Sequence, residues 1–176
     1  MSSTPAPPRN YRWTILSAGV LAQAAFSAIL LGLPAIAPAI QDRYELSLPQ
    51  VGVVLAAISF GSLATMLLWG IVANWIGERA VIAIGQTGTA AALVWAAYAS
   101  SYGELVGALS AVGAVGAGVN AASGRAVMAW FGEEERGFAL GIRQMATPLG
   151  GAVAAGGGVA GAAASPEAEP APIPDA

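Results

Sequence analysis

Four apolar stretches, residues 13–40, 51–73, 81–99 and 105–122, constrain this chain more than any other feature. Each reaches or approaches the roughly 20 helical residues needed to cross a hydrocarbon core. A helix on the surface of a soluble domain carries polar residues along one face, and these stretches are apolar on nearly every side. Lipid offers no partners to backbone N–H and C=O groups, so a spanning segment satisfies its own by forming a helix. The expected fold class is all-α, a polytopic membrane helix bundle. Composition agrees: 56% of the 176 residues are hydrophobic and 10% charged, against about 25% charged in a typical soluble domain.

What is missing excludes whole classes of chemistry. Cysteine and histidine are both absent, which removes disulfides, thiol nucleophiles, imidazole bases and the usual zinc ligands. No carboxylate lies deep in a span, and Glu104 sits at an edge. With so little acid–base machinery, no enzymatic activity, catalytic residue, metal site or cofactor is expected. The arginines are scattered at helix ends rather than gathered in a basic patch, which argues against nucleic acid as a partner.

Those arginines predict the topology. Arg9 and Arg12 precede the first span, Arg79 lies between the second and third, and Arg125, Arg136 and Arg143 follow the fourth. Arg43 alone falls on the opposite side. The positive-inside rule makes the richer side cytoplasmic, so the protein is expected in the cell (inner or plasma) membrane with its N-terminus inside. The first apolar stretch exceeds the h-region of about 7–15 residues found in signal peptides, so it is expected to remain as a span. Trp13, Trp69, Trp75 and Trp130 fall near the inner ends and Tyr44 and Tyr102 near the outer ones, as headgroup-level aromatics do. For Trp69, packing between helices is an equal alternative.

Within the spans, Pro34 and Pro38 each remove a backbone donor and crowd the preceding turn. Either a bend that shapes a cavity mouth or an early helix end would follow. Gly103 and Gly107 stand in the GxxxG spacing of closely packed membrane helices. Gln23, Asn120 and Gln144 are candidate cavity-lining residues, because intramembrane polar groups face a bundle interior or a wet cavity. For Gln23, hydrogen bonding between helices is the alternative.

The loops carry the most specific pattern. Between the second and third spans the chain reads Gly70-Ile-Val-Ala-Asn74-Trp75-Ile-Gly77-Glu78-Arg79. Gly77 suits a tight turn and Arg79 a contact at a helix end. Further on come Arg125, the pair Arg136-Gly137, then Gly141-Ile-Arg143-Gln144 and Pro148-Leu-Gly150-Gly151. The first stretch resembles the loop signature of major facilitator superfamily (MFS) transporters. Gly70, Gly77 and Arg79 match it, Asn74 replaces the family's acidic residue, and Trp75 and Glu78 replace basic ones. The second resembles the end of span four, the following loop and the start of span five in bacterial members. The resemblance covers residues 11–153. It implies part of the N-terminal half of a fold whose two related halves hold solute between them near the membrane midplane. It also implies a cytoplasmic latch weakened by the loss of charge at Asn74.

The domain plan expected from these readings is a tail at residues 1–12, a transmembrane bundle over 13–164 and a disordered Pro/Ala/Glu tail over 165–176. A weak fifth span is placed at 138–164, where glycine and alanine replace the large apolar side chains. The abrupt change after Gly151 is expected to reflect truncation or a reading-frame change in a transporter gene, with a genuine short protein as the rival. The expected function is transport of an unknown small-molecule solute by an MFS-type secondary transporter, this chain being an N-terminal portion not competent alone. The alternative is a non-transporting assembly partner that packs through the small-residue face of span four. Expected partners are the lipid bilayer, the solute and a complementary transporter half.

Overall fold

The computed structural model describes residues 11–164, so the expected terminal tails lie almost wholly outside the described residues. Among these residues there is no strand. The chain runs through α1 (Tyr11–Gly32), a 3₁₀ turn (Leu33–Ile36), α2 (Ala37–Tyr44), α3 (Leu48–Ile76), α4 (Glu78–Ala97), α5 (Tyr102–Trp130), α6 (Glu133–Gln144) and α7 (Ala146–Ala164). Four helical stretches, Arg12–Tyr44, Leu48–Ile76, Glu78–Ala97 and Tyr102–Ala129, are long and apolar enough to cross a membrane. The protein is an all-α membrane helix bundle.

The breaks follow local chemistry. Pro34 lies in the 3₁₀ turn and Pro38 in the first turn of α2, so the first long helix ends its regular ladder at Gly32 and resumes at Ala37. A cavity of about 490 Å³ lies at this break, lined by Gly32, Ile36, Arg43 and Tyr44 together with Leu93 of α4 and Leu105 of α5. Both expectations for these prolines are thus met at one place. Tyr44 then donates its hydroxyl to the carbonyl of Ala99 at 2.7 Å, tying the end of α2 to the end of α4. Ser47 and Gln50 form a capping box at the start of α3, satisfying donors that would otherwise have no partner. Gly77, with φ +81°, is the single residue between α3 and α4, a conformation that glycine adopts without a Cβ penalty. Pro148 has no N–H to offer the carbonyl of Gln144, and the helix breaks at Met145 between α6 and α7 for that reason.

The centre of the bundle is α5. Over half (56%) of its apolar window is buried, against 22% in each of the other three candidate spans. Small residues allow this. A Cβ added to Gly113 would lie 1.9 Å from the carbonyl oxygen of Ile58, and one on Gly61 would lie 1.9 Å from that of Ser110. α3 and α5 therefore cross backbone to backbone, each helix supplying a glycine. Hydrogen bonds reinforce the crossing: Ser62 donates to the carbonyl of Gly113 at 3.0 Å, and Thr65 and Trp69 donate to that of Ala114 at 2.7 and 2.6 Å. Trp69 is thus a packing residue held on α5, and its indole lies against Gly118. On other sides of α5, Gly116 lies under the ring of Phe26 from α1, and Gly85 and Gly88 of α4 receive Val119 and Val115. Gly150 of α7 meets the carbonyl of Ala24 on α1 in a third close approach.

The GxxxG pair takes no part in these close approaches. Gly103 has open space where a Cβ would be, and Gly107 has only the edge of Trp95 at 3.9 Å. Gly113→Val should therefore lower stability in detergent by about 3 kcal/mol or more, the upper end for overpacked cores. Gly103→Ala should change it by less than about 1 kcal/mol. Thermal unfolding of both variants in micelles checks this, and equal midpoints would contradict the crossing.

Candidate functional site

One end of the bundle gathers the motif residues. The turn at Gly77 leaves Asn74, Trp75 and Arg79 exposed, Trp75 at 82%. Gly70, one helical turn before Asn74, has open space at its Cβ position, and its carbonyl accepts a hydrogen bond from Arg125 Nη1 at 3.1 Å. Arg125 thereby joins the two stretches that were separate in the sequence, pinning the end of α5 to the end of α3.

A second arginine cluster closes the same end between α1, α5 and α6. Arg12 makes a two-pronged ion pair with Glu135, at 2.5 and 3.1 Å. Its guanidinium also lies 5.6 Å from the ring centre of Trp13 and 5.4 Å from that of Phe131. Trp13 meets Phe131 edge to face at 5.3 Å. Phe131 is buried with Leu16, Val127 and Ala139, and its carbonyl accepts from Arg136 Nε at 3.0 Å. Arg136 thus fastens the first turn of α6 to the end of α5. Gly137 and Gly141 have open space around them, so no close approach among the described residues requires a glycine there.

Arg143 sits differently. Its Nε donates to Ser123 Oγ at 3.1 Å, and its Nη2 donates to the carbonyl of Asn120 at 3.1 Å and to the Asn120 side-chain oxygen. Nη1 has a long contact of 3.4 Å to Gln144. Every one of these partners is neutral. Arg143 thus links α6 to α5 and brings together Asn120, Gln144 and Ser123, of which Ser123 was not singled out as a site residue. A lone serine one turn after an asparagine gives no distinctive sequence signal.

Asn120 is also one of the residues lining a groove of about 300 Å³ between α1, α3 and α5, with Ser59 and Ser62 among the apolar residues Phe26, Leu30, Leu63 and Met66. Gln23 lies on the adjoining face of α1. Gly19 packs against Ser123, and Phe26 against Gly116, so the antiparallel register of α1 on α5 sets Gln23 at the level of Asn120. The Gln23 Oε1 atom is buried and has no hydrogen-bond partner in the structure. Pro148 is exposed at the start of α7, while Gly150 and Gly151 pack on α1 against Ala24 and Leu31. Among the described residues no group of three His, Cys, Asp or Glu side chains could hold a metal ion.

The model of the Major Facilitator Superfamily matches residues 12–166, nearly the whole bundle. The chain belongs to the major facilitator superfamily. Two proteins from different strains of Mycobacterium tuberculosis, each described as an uncharacterized MFS-type transporter, are 35% identical to it over 139 residues. That alignment covers 79% of this chain and 31% of each relative. The chain spans about a third of the length of the curated MFS relatives it matches, and the edge formed by Asn74, Trp75 and Arg79 belongs to a multi-pass MFS protein.

Within the Arg12 cluster, burial rather than charge should dominate stability. Glu135 is 48% exposed in its ion pair, and exposed pairs contribute about 1 kcal/mol or less. Phe131→Ala, at a residue 3% exposed, should cost about 3 kcal/mol. Comparing denaturation midpoints of Glu135→Gln and Phe131→Ala tests this ordering.

Proposed function

We propose that this chain supplies the N-terminal helices of an MFS-type secondary transporter that moves a small solute across the cell membrane. The observation that carries the reading is the groove between α1, α3 and α5, where Asn120, Ser59 and Ser62 are set in an otherwise apolar wall. A pocket of that kind, apolar with a few convergent polar groups, is what solute binding requires. Transport by rocking two bundles around a central site needs a second bundle, and the described helices make up part of one. In this reading these helices by themselves do not transport and need a complementary half, and their role is not enzymatic. α6 and α7 together form the fifth span, with α7 lying along α1.

The orientation proposed has Arg12, Arg79, Arg125, Arg136 and Arg143 on the cytoplasmic side. In this reading the edge at Asn74 and Arg79 meets the second bundle there. For the alternative of an assembly partner docking through the small residues of α5, Gly113, Gly116 and Gly118 are already covered by Ile58, Phe26 and Trp69, which leaves the open pair Gly103 and Gly107 as its free surface.

Because the chain has no cysteine, single cysteines report topology without background. Ser100→Cys should react with a membrane-impermeant maleimide in intact cells, and Asn74→Cys only after permeabilisation. The reverse pattern would invert the orientation. Liposomes holding the purified chain alone should show no solute uptake above empty vesicles, and sustained uptake would overturn the need for a second half.

A further inference from the structure

We propose that Arg143 and Asn120 form an anion-reading pair, and that the solute recognised in the α1–α3–α5 groove is a small organic anion with an apolar body. This inference rests on the transport reading for its purpose, but on the geometry of the pair for its chemistry.

Arginine has donors and no acceptor, so the Asn120 atom that faces Arg143 Nη2 must be the amide oxygen. That bond fixes which way the amide points. The Nδ2 group is on the opposite side of the amide from that bond and makes no hydrogen bond within the described residues, and Asn120 is one of the residues that line the groove. Asn120 therefore offers N–H donors to the groove, and the cation bonded to its oxygen polarises them. The partners of Arg143 itself are Ser123, Asn120 and Gln144, all uncharged, whereas Arg12 has Glu135. A guanidinium packed at a helix junction with no carboxylate among its partners leaves a net positive charge behind the groove wall.

Depth fits the same assignment. Asn120 lies 18 residues beyond Tyr102 on α5, about 27 Å along the helix axis, so the charge acts near one end of a hydrocarbon core of about 30 Å. Screening by water and salt is weaker there than in bulk. The rest of the groove is Phe26, Leu30, Leu63 and Met66 with Ser59 and Ser62, suited to an apolar body rather than to a densely hydroxylated one. Asn120 is the contacting residue, and Arg143 positions and polarises it.

The test is ligand-dependent thermal stability of the purified chain in detergent, using benzoate, its neutral isostere benzamide, and inorganic phosphate. Benzoate is expected to raise the unfolding midpoint, phosphate to raise it less, and benzamide to leave it unchanged. Arg143→Gln should weaken the apparent benzoate affinity about tenfold or more, as loss of a charge-assisted hydrogen bond does. Arg143→Lys should retain part of the response. Asn120→Asp guards against simple misfolding: it keeps an acceptor for Arg143 and adds an ion pair, so it should fold at least as stably while losing the benzoate response. Equal responses to benzoate and benzamide, no response to either anion, or an unchanged response in Asn120→Asp would each overturn the proposal. A larger response to phosphate than to benzoate would overturn the apolar-body assignment. Since the readout is binding, a chain that answers benzoate but belongs to no transporting assembly defeats only the transport reading.

Discussion

The backbone crossing of α3 over α5 is the contact on which the other helices depend. In lipid, apolar side chains gain little by leaving one hydrocarbon environment for another, so helices associate through close packing and hydrogen bonds. Gly61 and Gly113 bring two backbones to a separation that no side chain could share. Ser62, Thr65 and Trp69 of α3 then use the second lone pair of carbonyls already engaged in the α5 ladder. With α5 held in place, α4 lodges its glycines on Val115 and Val119, and α1 lays Phe26 over Gly116. α7 reaches the bundle through α1 by the approach of Gly150 to Ala24.

That arrangement explains why polar chemistry collects on one face and at one end. The buried side of α5 consists of glycine, alanine, valine and the leucines Leu105 and Leu109, and carries no buried polar side chain before Ser123 near its end. There α6 turns back along the bundle and delivers Arg143 onto both. Arg125 on α5 and Arg143 on α6 hold different things. Arg125 grips a backbone carbonyl of α3, fixing helix ends, while Arg143 orients the amide of Asn120, a residue that also lines the groove. The ion pair of Arg12 lies at the exposed margin, beside the contact of the exposed Trp13 with the buried Phe131.

The helices were legible in the sequence because uninterrupted apolar stretches have one stable form in lipid, and Pro34, Gly77 and Pro148 show where each ladder must stop or turn. The crossing point was not. GxxxG spacing marks Gly103 and Gly107, but the depth at which two helices touch depends on their tilt and on the partner's side chains, so Gly61 and Gly113 carry the contact instead. Asn120, Gln144 and Arg143 were separately visible as polar residues, and the pairing among them depends on α6 folding back on α5. Arg12 and Glu135 are 123 residues apart, and no periodicity connects them. Trp69 admitted two readings by position alone, and the carbonyl of Ala114 decides between them.

The single residue between α3 and α4 has a mechanical consequence. One residue spans at most about 3.6 Å, so the ends of the two helices cannot drift apart, and no loop slack absorbs a change in the angle between them. Gly77 acts as a pivot pin. A tilt imposed on α3 at its exposed Asn74–Trp75 edge is transmitted to the first turn of α4, and through Gly85 and Gly88 to the far side of α5. A push applied at one corner of this end thus becomes a twist of α3, α4 and α5, two of which wall the groove.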